Sequence, residues 1–325
     1  MIGPIDGKLS ESLRCHYAYK LWRGKGPNMT ERTECSGQCV RMLSRRSLFK
    51  GAACGAAVVA GLGGDALADA EKGPEESKVD FPLVDYHVHL SGALTIDKAV
   101  ELANKRGVKF GIVEHPGRGY KIVDDKALKQ YLEMLKKHPV YRGLQPVYPD
   151  WAKALSKEML YQLDYILMDA LTLPEKNGGW LRIWRADTVV TDKQVFMDRY
   201  MDFNLQILTQ EPIDIFAWPT YLPTAIGQEY DALWTQPRMQ KLIDVVVKKG
   251  IALEINELAK VPKARFITMA KETGAKFTFG TDSRDERAGQ FKYCLQMIKE
   301  CGLTRKDMFS LKPEGEKAIQ RSQKQ

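Results

Sequence analysis

Pro82-Leu83-Val84-Asp85-Tyr86-His87-Val88-His89 runs from an apolar stretch into two histidines one residue apart. The apolar part reads as a β-strand, and side chains two apart on a strand point the same way. Both imidazoles can therefore face one ion. Asp85 shares their parity and is a candidate orienter of a ligand or a bridging ligand. Downstream, residues 95–106 place Ile96, Ala99, Val100, Leu102 and Ala103 at helical spacing, with Gly107 as the cap. A second strand follows over 109–114.

The alternation continues. Helices are expected over 125–137, 192–210, 238–249, 264–273 and 291–301. Strands are expected over 141–147, 163–168, 213–217, 251–255 and 276–280. Seven strand-helix repeats with continuously apolar strands imply a parallel sheet covered by helices. Polar residues gather just past several strand C-termini, the face where barrels place their chemistry. The expected fold is therefore α/β, a distorted (β/α)7 TIM-like barrel. No GxGxxG or P-loop follows the first strand, which excludes a dinucleotide or nucleoside triphosphate site of that kind. Gly178-Gly179-Trp180 reads as a hairpin-like insertion in a barrel loop.

The 325-residue chain divides into residues 1–68, a leader; 69–78, a linker; 79–311, one barrel domain; and 312–325, a polar tail. The formal charge of +8 comes largely from the leader, which holds 10 Lys/Arg against 5 Asp/Glu. The rest holds 39 against 36, so the body carries no nucleic-acid footprint. Of six cysteines, Cys15, Cys35, Cys39 and Cys54 lie in the leader. Cys294 and Cys301 are seven apart on one helix, roughly 10 Å along its axis, too far for a disulfide. Cys35 and Cys39 lack a second ligand pair for zinc.

Ser44-Arg45-Arg46-Ser47-Leu48-Phe49-Lys50, a short Gly/Ala-rich apolar run and Ala66-Leu67-Ala68 follow in the order of an export signal peptide. The first segment resembles the twin-arginine signal. That resemblance implies a folded cargo, passage through the twin-arginine translocase and a periplasmic or otherwise extracytoplasmic destination. The apolar run is too short for a permanent membrane anchor.

Only five histidines occur, and three of them, His87, His89 and His115, end the first two strands. Glu254 and Asn256 end the sixth strand, and Asp282 follows the seventh. Histidines and carboxylates together suit zinc, manganese or iron. An ion held so lowers the pKa of its water toward 7 and polarises a phosphoryl or carbonyl oxygen. Glu114, Glu254 or Asp282 is the candidate general base, and His87, His89, His115, Asp282 and Glu254 are the candidate ligands. Arg118 and Arg284 are candidates to hold a substrate anion, and Trp218 to line the pocket floor.

Asp85-Tyr86-His87-Val88-His89, Val113-Glu114-His115, Leu253-Glu254-Ile255-Asn256 and Gly280-Thr281-Asp282-Ser283 together resemble the polymerase and histidinol phosphatase (PHP) domain superfamily over about residues 80–305. The resemblance implies a distorted (β/α)7 barrel that binds up to three metal ions and hydrolyses phosphoesters. It puts His87, His89, His115 and Asp282 on ligand positions. The chain departs from that pattern at Gln145 (Glu in the family), at Leu171 with Asp169 nearby (His), at Trp218-Pro219 (His-Pro) and at Asp282-Ser283-Arg284 (Asp-x-His). One or two ions are therefore expected. The expected function is an exported metal-dependent hydrolase, phosphoesterase-like, acting on a small molecule, for which an anion is a candidate. The alternatives are a non-catalytic metal- or ligand-binding protein and an amidohydrolase-type C–N hydrolase.

Overall fold

The structure is a computed structural model that describes residues 79–321. The leader, its export signal and the linker lie outside the described residues. Among the described residues nine strands occur: β1 Leu83–Val88, β2 Val108–Ile112, β3 Tyr141–Leu144, β4 Tyr165–Met168, β5 Thr172–Pro174, β6 Trp180–Arg182, β7 Ile215–Phe216, β8 Ala252–Asn256 and β9 Lys276–Gly280. Seven of them close a barrel in the order β1-β2-β3-β4-β7-β8-β9. Each pairing is parallel, and β9 returns to β1 through Asp85 opposite Phe279. This is the α/β barrel that the repeats implied. The remaining two strands, β5 and β6, form the expected antiparallel hairpin after β4.

The helices are α1 Ile96–Arg106, α2 Asp125–Leu135, α3 Lys157–Leu160, α4 Lys193–Gln210, α5 Tyr230–Leu233, α6 Gln236–Lys249, α7 Ala264–Glu272, α8 Tyr293–Cys301 and α9 Ala318–Arg321. Local chemistry sets their ends. Thr95 accepts from Lys98 N at the start of α1, and Asp124 accepts from Ala127 N at the start of α2. Gly107 and Gly250 end α1 and α6 in the left-handed region, at φ 62° and 67°. On α2, Leu128, Leu132 and Leu135 form the buried stripe that seats the helix on the barrel.

Inside the barrel, the Tyr165 ring lies against Gly111 of β2 and Gly143 of β3, where any Cβ would collide with it. Its hydroxyl donates to the Tyr86 carbonyl at 2.6 Å. One tyrosine thus spans three strands, and the two glycines make room for it.

Two expectations change. The polar tail is not free through residue 321: α9 docks at the N-terminal end of the strands, with Ala318, Ile319 and Gln320 buried. Four residues with mixed polarity carry too little periodicity to announce such docking. The strands also stop early, β2 at Ile112 and β3 at Leu144, so Glu114 and His115 lie in a loop. Both remaining cysteines are free.

Candidate metal centre

β1 delivers the first ligands, but not by simple alternation. Its register against β2 shifts between Asp85 and Val88, a bulge that puts an extra residue into the strand. Asp85 consequently does not share the site with the histidines. It is buried and accepts from Thr281 N (3.0 Å), Thr281 Oγ1 (2.6 Å), Gly289 N (2.8 Å) and His87 N (3.2 Å). It is an orienter of backbone and not a bridging ligand: it fixes the His87 amide and the loop that carries Asp282. Burial still pushes its carboxyl up to about 6, against those four bonds.

His87 is fully buried between acceptors. Its Nδ1 lies 2.7 Å from Glu254 Oε1, and its Nε2 lies 3.0 Å from Gln145 Oε1 and 3.4 Å from Asp282 Oδ1. Gln145 Nε2 donates to Asp169 Oδ2 at 2.9 Å, so its oxygen is the atom that faces His87. Both imidazole nitrogens therefore donate, and the ring is cationic. Burial alone would lower His87, but Asp282 and Glu254 prevail and hold it up at about 9.

His89 is the counterpart. Its ring centroid lies 5.3 Å from that of His87, and burial pushes it down to about 4, which keeps it neutral. Its Nε2 lies 3.3 Å from Asp282 Oδ1 but is buried without an aligned hydrogen bond. A buried polar atom without a partner is costly unless something else comes to it. Asp282 is held well below the usual carboxylate range: burial would raise it, and the charges of His87 and Arg284, with the close polar contact of His89, outweigh that. Its backbone takes a left-handed φ of 47°, a conformation a short polar side chain tolerates.

His87, His89 and Asp282 each offer an atom within 4.8 Å of the others' atoms. Nitrogen and carboxylate donors, a neutral histidine with a stranded nitrogen and an anionic aspartate fit a divalent cation. His115 lies at the edge of this group, its ring 4.9 Å from that of His89. Its Nδ1 donates to the Gln145 carbonyl at 2.8 Å, which leaves Nε2 as the nitrogen able to ligate.

Glu254, expected as ligand or base, is neither. It is fully buried beneath His87: Oε1 takes His87 Nδ1, while Oε2 takes Trp218 N at 2.9 Å and Asn256 Nδ2 at 3.1 Å. It buttresses the ligand, and Asn256 buttresses it. Glu114 is also displaced. Its oxygens accept from Lys121 Nζ and from His115 N, because the strand that should have aimed it ends two residues earlier.

A cavity of about 600 Å3 opens over the group. Asp169, Trp218, Asp282, Arg284 and His115 line it. Arg284 Nη1 donates to Asp282 Oδ1 at 2.9 Å. Burial pushes Asp169 up to about 6. Arg118 is exposed and is not among the residues that border the cavity. Tyr120, Arg182, Trp184 and Tyr221 border it without having been singled out from the sequence. The Gly178-Gly179 hairpin was the available signal, because Arg182 ends β6 and Trp184 follows it.

No protein-family model matches the chain, and no curated protein matches it. Among solved structures, a chain of the cryo-EM structure of archaeal ribonuclease P with mature tRNA aligns with 71% of this chain and 99% of its own length. The identity is 10% and the TM-score 0.37, a likeness that supports no argument about function.

Proposed function

We propose that the chain is a metal-dependent hydrolase of the phosphoesterase type, exported to the periplasm, that acts on a small anionic substrate. The observation that carries this reading is His89 Nε2, buried and without an aligned partner, 3.3 Å from the anionic Asp282. His87, His89 and Asp282 would hold one zinc, manganese or iron ion, with His115 Nε2 next in reach. Such an ion supplies an acidified water and a polarised phosphoryl oxygen.

The chain's own residues do the rest. Glu254 keeps the His87 ring oriented by holding its Nδ1 proton. Asp169 borders the cavity as a carboxyl that burial pushes up to about 6, able to accept a proton from water. Arg284 supplies a guanidinium beside Asp282, suited to a phosphate or carboxylate. The same donors would serve C–N hydrolysis, so the test includes amides.

A specific contact favours a second reading, binding without turnover. Gln145 Oε1 holds the His87 nitrogen that would face the ion. The test is a panel of phosphomonoesters, phosphodiesters and amides, run with added manganese or zinc. Hydrolysis of a phosphoester, abolished by His89→Ala, supports the first reading. Bound metal without hydrolysis of any substrate supports the second.

For export, the support is the order of the leader's signals. Among the described residues no helix is long and apolar enough to cross a membrane. Changing Arg45 and Arg46 to Lys should leave the precursor in the cytoplasmic fraction, and unchanged export would contradict the route.

A further inference from the structure

The mouth of the barrel holds more aromatic surface than the cation group needs. Tyr120 enters the cavity from the segment after β2, and Trp218 and Tyr221 enter it from the segment after β7. In the closed order β1-β2-β3-β4-β7-β8-β9, β2 and β7 stand three strands apart in a ring of seven. They lie on opposite sides of the mouth, and both aromatic groups border the same cavity that opens there.

Each group is braced. Trp218 and Tyr221 meet edge to face, with centroids 5.2 Å apart. Trp218 keeps a left-handed φ of 50°, strained for a bulky side chain, and its amide is tied to Glu254 Oε2. The carboxylate that orients His87 thus also sets the indole. From the other strand, Tyr120 sits tilted between His115 at 5.2 Å and Tyr148 at 6.3 Å, and Tyr148 meets Trp180 at 4.8 Å. Ordinary core packing would close these rings on one another. Instead Tyr120 and Tyr221 stay half-buried at the edge of the void, and Trp184 beside them is 42% exposed. Arg182 and Arg284 border the same space.

We infer that the cavity takes an anion carrying a planar ring, with the ring between Tyr120 and the Trp218–Tyr221 pair and the anionic group at Arg284. Trp218 and Tyr120 are then the residues that set specificity. Aromatic faces hold planar rings by offset or edge contacts, and a guanidinium holds a phosphate or carboxylate in a forked pair. The identity of the anion as the reacting group rests on the hydrolase reading; the ring preference does not.

The test is titration calorimetry on the manganese-loaded full-length chain with phenylphosphonate and methylphosphonate. They share a head group and resist hydrolysis. Phenylphosphonate should bind about tenfold tighter, and Trp218→Leu or Tyr120→Leu should remove most of that preference while leaving methylphosphonate within about twofold. Arg284→Ala should weaken both. If Trp218→Leu fails to fold, the half-buried Tyr120→Leu decides alone. Equal affinities, no binding of either at millimolar concentration, or a preference untouched by the folded variants would overturn the inference. Ring-selective binding without hydrolysis of any ester would remove the hydrolase reading and uphold this one. Ester hydrolysis without ring-selective binding would do the reverse.

Discussion

At the N-terminal end of the barrel strands, Asp214 and Lys317 are buried, and each finds its partners. Asp214 accepts from Ile166 N and Ala318 N, both at 3.0 Å, and Lys317 Nζ donates to the carbonyls of Tyr161 and Leu163 at 2.9 and 2.8 Å. At the mouth, His87, His89 and Asp169 are buried as well and Asp282 is partly buried, but the set does not close. His89 Nε2 lacks a hydrogen bond, Asp282 and Trp218 sit at left-handed φ, and Arg284 reaches in from solvent to meet Asp282. An unpaired polar atom alone says little, since Trp234 Nε1 and Asn204 Oδ1 also lack partners; at the mouth it coincides with an anionic carboxylate, a strained backbone and an open cavity, a combination with room for a cation. Burial of charge alone does not separate the two ends; satisfaction does.

The contrast can be broken from either side. The largest expected effect is at the mouth: Glu254→Gln removes the charged acceptor for His87 Nδ1 and should weaken metal binding by up to about a hundredfold, with a lower melting temperature as well, because the new amide NH2 faces Trp218 N–H. Metal titration and thermal melts check it. Next, Asp214→Ala should destabilise the whole protein by about 2 kcal/mol by stranding two amides, yet leave metal affinity unchanged. Denaturant unfolding of the metal-free protein reads this directly. A loss of metal affinity there would erase the distinction between the ends.

A pH series sharpens the comparison further. His87 is held up at about 9, so below that pH an entering ion must displace its proton. Metal affinity should therefore rise with pH, by up to about tenfold per unit, and level off above pH 9. In the metal-free protein the sign is opposite. The stability that His87 adds is full below 6.5 and is lost as pH climbs through 9. Affinity flat between pH 6 and 9 would contradict the cationic His87. The smallest effect belongs to Arg118→Ala: stability should stay within about 0.5 kcal/mol, with metal and anion binding unchanged. A clear loss of anion affinity would return Arg118 to the site.

Much of this was legible in the sequence, for identifiable reasons. The barrel followed from strand-helix repeats whose strands are apolar throughout, and the centre followed from two histidines at the end of β1 together with a carboxylate after β9. Roles were harder to read. Alternation promised Asp85 a place beside the histidines, and a bulge between Asp85 and Val88 denied it. Glu254 lies on the expected strand but is spent on His87, Trp218 and Asn256, a division of labour that only three-dimensional neighbours reveal. Glu114 turned away because β2 is shorter than its apolar run. Gln145 looked like a lost ligand, yet it links Asp169 to His87. Trp218 was expected at the pocket floor, but the wall as a whole escaped notice because Tyr120 is far in the chain from the Trp218–Tyr221 pair and comes to the same cavity only through barrel closure.

The most direct test of a metal centre at the mouth is the metal content of the folded full-length chain and of its His87→Ala variant, by elemental analysis after exposure to zinc and desalting. A bound ion should appear at about one equivalent in the parent and fall below about 0.1 in the variant. A parent below 0.1 equivalent, or a variant that keeps the parent's metal, would contradict it.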